Sequence, residues 1–549
     1  MAQLTGREIF LSILLDEGID YLFGNPGTTE LPIMAALPEL PQLNYVLGLQ
    51  ESVVVAMADG YSRASGRLTA CNVHVAPGLG NAMGAIYNAH WVGSPLIITA
   101  GQQEQGHGLT EPLLYAPLPP MVDSLVKWST EVTRLEDLPR ILRRAAKVAM
   151  SPPTGPVFIS LPGDILNATA EIETGRSTRV DAVVRPSDTA IHSLAERLAR
   201  AEKPAIIAGH ELATSRSLDE AAALATLLGV PVYQQTVVDG AHFYSLHDCY
   251  IGGLSRDQKK VHAILEDYDT LLFLGSDVLR MSVYSEIDPL PAGIQVLQIA
   301  ERAHELGKNY PADVAINAHP GETLRALLPV VEKLVDPGRV AAGIASLKTD
   351  NWSTRREALQ NKLEALRSGH PINGDYLMRQ LARVLPDNAV LVDEGLTASR
   401  YLPDLVPYRD SKSYFGLASG GIGFAVAGVV GMQLAQPERP HVAVIGDGSS
   451  LYGIQALWTA AHLKLPITYV IANNRGYRIL KQRVQAYHGT QQFIGMDFDD
   501  PLIDFVKLAE SMGVTAYRVE KAEELEHALA SAIASGDTVL LDVQIDKAL

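Results

Sequence analysis

Residues 441–476 constrain the fold of this chain more than any other stretch. An apolar run over 442–445 leads into Gly446-Asp447-Gly448-Ser449. A helical stretch follows over 454–463. A second apolar run, 467–471, ends at Asn473 and Asn474, with Gly476 just beyond. Short apolar runs bounded by Gly and Asn read as buried strands, and a helix between two strands joins them in parallel. The C-terminal ends of such strands lie side by side, where open α/β sheets bind ligands.

The residue types at those ends point to a chemistry. Asp447 and Asn474 offer hard side-chain oxygens, and the Gly476 carbonyl lies close in sequence. Such oxygens suit Mg²⁺ or Ca²⁺, and Mg²⁺ completes its shell with phosphate oxygens and water. Gly446 and Gly448 allow close backbone approach, and a helix opening at Ser449 presents free N–H groups to a phosphate. The unit therefore suits a metal-bridged diphosphate. Alone, a Gly-Asp-Gly segment is more often a plain turn. Gly-Asp-Gly followed by Asn-Asn, however, resembles the thiamin diphosphate motif. The rest of the chain resembles the thiamin diphosphate-dependent 2-oxo acid decarboxylases, in particular their benzoylformate decarboxylase group.

The 549 residues suggest three to four domains, and 47% hydrophobic content supplies large cores. A net charge of −17 argues against a nucleic-acid partner. Cys71 and Cys249 are the only cysteines, too few for a disulfide framework. The first residues carry no signal-peptide pattern. The uncharged run 420–435 is glycine-rich and shorter than the roughly 20 residues that span a bilayer, so it reads as a buried helix. The expectation is a soluble, cytoplasmic enzyme with no membrane partner.

Along the chain, apolar runs alternate with amphipathic helices, which predicts α/β domains with mostly parallel sheets. The expected domains are 1–185, 186–335 and 371–549, with 336–370 as a linker containing a charged helix over 354–367. The resemblance assigns the first domain to the cofactor's pyrimidine and the third to its diphosphate and Mg²⁺. It also implies a common fold for both. Glycines end several strands of the central region, yet no Gly-x-Gly-x-x-Gly fingerprint appears there. Whether that domain takes FAD or another nucleotide stays open.

Further site residues follow from the resemblance. Glu51 opens an apolar helix, where a carboxylate also favours the helix dipole. It matches the family's catalytic glutamate, which shares a proton with N1′ of the aminopyrimidine. His74, a strand-end histidine that could equally be structural, matches a proton-transfer group beside the substrate. Thr28 matches a serine that contacts the substrate carboxylate, on a loop with the cofactor-binding positions Asn25, Pro26 and Gly27. Thr397 matches a hydroxyl on the diphosphate, Gly420 a carbonyl that accepts from the aminopyrimidine, and Ile422 the apolar residue beneath the bent cofactor. Leu396 is apolar where the relatives carry a second hydroxyl. Ser282 stands where benzoylformate decarboxylase has a second histidine, and which group replaces it is open. His488 is one candidate.

The resemblance implies non-oxidative decarboxylation of a 2-oxo acid, with carboligation of aldehydes as a second outlet. It implies a homodimer at least, and a homotetramer by family. The alternatives are an acetolactate synthase-like or 2-hydroxyacyl-type carboligase or lyase, and a non-catalytic cofactor-binding protein. The sequence does not decide between aromatic and aliphatic substrates.

Overall fold

The structure, a computed structural model, describes residues 3–549. The chain forms two compact units. One holds the residues up to Asp181 together with Val392–Ala398 and Leu417–Leu549. The other holds Ala182–Leu391 and Ser399–Gly416. Three six-stranded sheets flanked by helices organise them.

The first sheet comprises β1 (Tyr21–Gly24), β2 (Asn44–Leu47), β3 (Thr69–Val73), β4 (Leu96–Gln102), β5 (Ser129–Glu131) and β6 (Val157–Pro162). Its order is β2-β1-β3-β4-β6-β5, and every pairing is parallel. β3, β4 and β6 are buried along their whole length, which is why they read as continuous apolar runs rather than alternating ones. The chain leaves β1 for β2 on one side and then crosses to β3 on the other. The topological switch point therefore lies between β1 and β3. Their C-terminal ends lead to Asn25 and His74.

The central sheet comprises β7 (Pro204–Ala208), β8 (Val232–Gln234), β9 (Tyr250–Gly253), β10 (Thr270–Leu274), β11 (Gln295–Ala300) and β12 (Val314–Asn317). It is parallel, in the order β9-β8-β7-β10-β11-β12. That is the strand order of dinucleotide-binding folds.

The third sheet comprises β13 (Val390–Glu394), β14 (Tyr414–Gly416), β15 (His441–Gly446), β16 (Ile467–Asn473), β17 (Thr515–Val519) and β18 (Val539–Gln544). Its order, β14-β13-β15-β16-β18-β17, repeats that of the first sheet. Ile445 pairs with Ile471 and Gly446 with Ala472, so Asp447 and Asn474 leave neighbouring strand ends.

Four helices bear on the residues expected at the site: α1 (Glu51–Ser65), α2 (Val75–Val92), α3 (Phe424–Ala435) and α4 (Arg478–His488). α1 and α3 cross at glycines. A Cβ on Gly60 would lie 2.0 Å from the Gly428 carbonyl oxygen, and one on Gly431 would lie 1.9 Å from that of Met57. Backbone touches backbone there, which only glycine permits. Asp59 is buried in the same helix, where Ser94 donates to it. The Arg63 guanidinium stacks 4.6 Å above the Phe424 ring.

Two segments differ from the sequence reading. In the stretch 336–370 the helix expected over 354–367 runs over Trp352–Glu364 and a second, unexpected helix, Pro337–Leu347, precedes it; Asn351 and Asp336 cap them. Trp352 is buried and its indole N–H donates to the Pro403 carbonyl at 3.1 Å. The helix read over 420–435 starts only at Phe424, because Gly420 and Gly423 adopt φ of +84° and +100° and turn the chain before it.

Candidate active site

At the ends of β15 and β16, Asp447 opens a short helical turn and is 2% exposed. Its Oδ1 accepts the Gly448 N–H at 2.8 Å, and its Oδ2 accepts the Gly476 N–H at 3.1 Å. Burial pushes this carboxyl up to about 6, against the pull of those backbone donors. Asn473 is engaged elsewhere, donating to Asp542 at 2.8 Å and accepting the Arg475 N–H at 3.1 Å. Asn474, the next residue, is also buried. The Gly476 carbonyl accepts the Arg478 N–H at 3.0 Å, which leaves it a second lone pair. Ser449 is buried, and the Ser450 hydroxyl donates to the Asp447 carbonyl at 2.7 Å.

This donor set is one carboxylate, one amide and one carbonyl. No group of three or more His, Cys, Asp or Glu side chains that could hold a metal occurs among the described residues. A hard cation bound by Asp447, Asn474 and Gly476 would thus leave coordination positions for oxygens of a ligand. A buried carboxylate raised by desolvation is the group such a cation would satisfy. The residues fit a metal-bridged diphosphate.

The loop after β13 carries Thr397, half-buried, and Leu396 at φ +51°. Glu394, 1% exposed, reaches from the end of β13 to the start of α3. It accepts the N–H groups of Gly423 and Ala425, the latter at 2.6 Å. Burial pushes Glu394 up to about 7. Glu394 therefore ties the Thr397 loop to the turn holding Gly420 and Ile422. Ile422 lines a 260 Å³ cavity with Gly421, Gln50, Asn81, Asn88 and Tyr452.

The second group lies on the first sheet. Gln50 caps α1, accepting the Ser52 N–H at 2.6 Å and so fixing Glu51 as the first helical residue. Glu51 is 8% exposed and accepts from Asn81 of α2 at 3.0 Å. A Cβ on Gly78 would lie 2.9 Å from its other oxygen. His74 ends β3, and its Nδ1 lies 2.7 Å from Glu30 and 3.2 Å from the Thr29 hydroxyl. Gly27 packs against the imidazole ring, while the Asn25 N–H donates to the Asn72 carbonyl at 3.3 Å. Pro26 and Thr28 are exposed. Thr28 lines a 680 Å³ groove with Thr29, Gln102, Gln103 and His107.

The predicted residues thus gather into two groups at the ends of two separate sheets, and Ile422 of the first group shares a cavity with Gln50 and Asn81 beside Glu51 of the second. Three non-glycine residues in the left-handed region adjoin them: Val75 at +41° after His74, Leu396 at +51° before Thr397, and Arg475 at +59° after Asn474. Such conformations cost about 1–3 kcal/mol and gather at functional sites. Ser282 is exposed in the other unit, where its N–H donates to the Arg256 carbonyl at 3.1 Å. His488 is exposed at the C-terminus of α4. Glu30, Glu394 and Asn81 escaped the sequence reading. The one signal for Glu30 is its place three residues after Gly27, with which it forms a bond at 2.9 Å.

The chain is similar to known proteins over nearly its whole length. Three models of thiamine pyrophosphate enzymes match: the N-terminal TPP binding domain over 4–113, the central domain over 191–327 and the C-terminal TPP binding domain over 397–543. Benzoylformate decarboxylase of Pseudomonas aeruginosa is 34% identical over 97% of both chains. The acetolactate synthase large subunit of Buchnera aphidicola is 26% identical over 100% of this chain and 95% of its own. The thiamine diphosphate-dependent 4-hydroxybenzoylformate decarboxylase of Rhodococcus jostii superposes with a TM-score of 0.88 at 32% identity, covering 99% of each chain. Benzoylformate decarboxylase from Polynucleobacter necessarius gives 0.88 at 29% identity, again over 99% of each. Their breadth over all three sheets, together with the two site groups, places the chain in the thiamine pyrophosphate enzyme family.

Proposed function

We propose that this enzyme decarboxylates a 2-oxo acid without oxidation, using thiamin diphosphate held through Mg²⁺. The observation that carries the reading is the buried Asp447 carboxylate beside Asn474 and Gly476 at adjacent strand ends. Asp447, Asn474 and the Gly476 carbonyl hold the ion. Gly446, Gly448, Ser449 and Thr397 receive the diphosphate, and Gly420 and Ile422 seat the rings. When bound, the cofactor supplies the electron sink that decarboxylation needs. Glu51 holds a proton against N1′ of the pyrimidine. Asn25, Pro26 and Gly27 contact the cofactor, Thr28 orients the substrate carboxylate with its hydroxyl, and His74 moves a proton at the reacting carbon.

In this reading the two groups complete one another across a homodimer, with Glu51 of one copy serving Asp447 of the other, and two dimers form a tetramer. Aldehyde acceptors give carboligation as a second outlet, and the enzyme works in the cytoplasm.

The test is CO₂ release from a panel of aromatic and aliphatic 2-oxo acids, with and without cofactor and Mg²⁺. No release from any of them, with cofactor bound tightly, overturns the reading. A second reading, an acetolactate synthase-like carboligase, draws on the dinucleotide-type strand order of the central sheet. A flavin retained through purification favours it.

A further inference from the structure

The carboxylate of Glu30 is 1% exposed and surrounded by donors. Its Oε2 accepts the Gly27 N–H at 2.9 Å and lies 2.7 Å from His74 Nδ1. Its Oε1 accepts the Gly101 N–H at 2.8 Å and the Thr29 hydroxyl at 2.9 Å. Thr29 spends its single proton on Glu30. Toward His74 Nδ1, 3.2 Å away, the Thr29 oxygen can therefore only accept. Both groups facing Nδ1 are acceptors, so Nδ1 carries the ring proton.

Two glycines make room for this arrangement. A Cβ on Gly27 would lie 2.1 Å from His74 Nδ1. One on Gly101, at the end of β4, would lie 2.2 Å from Glu30 Oε1 and 2.3 Å from the Thr29 hydroxyl. Val75, directly after His74, is held at φ +41°, a costly conformation for a β-branched residue. The loop after β1, the end of β4 and a strained backbone after β3 converge on one orientation of one imidazole.

We infer that Glu30 is a positioning residue that fixes His74 as the Nδ1–H tautomer, leaving Nε2 as the ring atom that exchanges protons with substrate. The functional half rests on the reading that His74 serves the reaction. A carboxylate on the far nitrogen of a catalytic histidine sets its tautomer and orientation, and a wrong tautomer is costly even where the geometry survives. Glu30→Gln puts an amide among the four donors. Its NH₂ group can face His74, which must then accept at Nδ1 and carry its proton on Nε2, or the Thr29 hydroxyl, whose oxygen can accept it; either way it meets a backbone N–H, that of Gly27 or Gly101.

The experiment is ring-¹⁵N NMR of the full-length enzyme carrying labelled histidine, with the His74 signal assigned by its loss in His74→Asn. The expected result is Nδ1–H in the unmodified enzyme and a loss of that preference in Glu30→Leu, which removes the acceptor facing Nδ1. Nε2–H in the unmodified enzyme overturns the inference without any variant having to fold. In parallel, Glu30→Gln is expected to lose about 10²-fold in kcat, at the low end of what general acid–base catalysis contributes, with KM changed much less. Glu30→Asp is expected to recover part of it. A switched tautomer with unchanged turnover sinks the role of His74 in the reaction and leaves Glu30's hold on the ring standing.

Discussion

The Asp447 carboxylate accepts the backbone N–H of Gly476 across 29 positions of sequence. The contact closes the loop after β16 onto the turn after β15, so two of the three proposed ion ligands are already held together by the protein.

Removing that carboxylate tests the assignment. Asp447→Ala is expected to weaken retention of thiamin diphosphate with Mg²⁺ by more than about 10-fold, since even groups one shell out from a metal shift affinity by 10–100-fold. Excess Mg²⁺ is expected to restore only part. Cofactor titration by fluorescence quenching reads it, and an unchanged affinity means the site lies elsewhere.

Glu51→Gln is expected to bind cofactor normally but to slow proton loss from the cofactor's C2, by about 10²-fold or more. Acid-quenched hydrogen–deuterium exchange measures that step without substrate. Exchange at the unmodified rate removes Glu51 from the mechanism.

The central domain carries its own titration. Glu211 is 4% exposed at the end of β7 and accepts the Glu301 N–H at 2.8 Å. Burial pushes it from 4.5 to about 7. A group raised in the folded state favours folding below its unfolded value, and that contribution is lost as pH rises through the folded one. Relative to Glu211→Gln, the natural protein is therefore expected to lose up to about 3 kcal/mol between pH 4.5 and pH 7. Urea midpoints of both proteins at pH 5 and pH 8 check this. A constant difference shows that Glu211 titrates in its ordinary range.

The glycine crossing of α1 and α3 predicts a steric effect. Gly431→Ala places a methyl against the Met57 carbonyl and is expected to cost about 1–3 kcal/mol. Gly18→Ala, where a Cβ meets nothing within 4 Å but φ is +83°, provides a comparison of strain without collision. Thermal midpoints separate the two, and a smaller loss at Gly431 than at Gly18 argues against backbone contact at the crossing.

Much of the architecture was legible because parallel strands buried on both faces leave continuous apolar runs. The runs at 442–445 and 467–471 mark β15 and β16 to within two residues. What periodicity could not show was where a glycine-rich apolar stretch stops being helix. Hydropathy is continuous from Gly420 to Ala435, and the break at Gly423 is a matter of φ alone. Of the two helices in the stretch 336–370, the charged one was legible and Pro337–Leu347 was not, because its cap Asp336 is an ordinary residue until its N–H partners are known. Asp447 and Asn474 stood out through a local motif. Glu30 did not, because its partner His74 lies 44 positions away. A single acid in a loop has no local signature of the ring it holds.

The crossing of α1 and α3 also acts as a fulcrum. Glu51 opens α1 nine residues before Gly60, an arm of about 13 Å at 1.5 Å per residue. Ile422 stands just before α3, a shorter distance from Gly428. A tilt of only about 5° between the helices would carry the Glu51 carboxylate by about 1 Å, which in the role proposed for Glu51 is a misplacement able to cost about 10²-fold in rate. Glycine at the contact removes the compressible side chains that would let the angle drift. Substitutions far from every reacting atom, on the inner faces of these two helices, can thereby set the aim of the carboxylate.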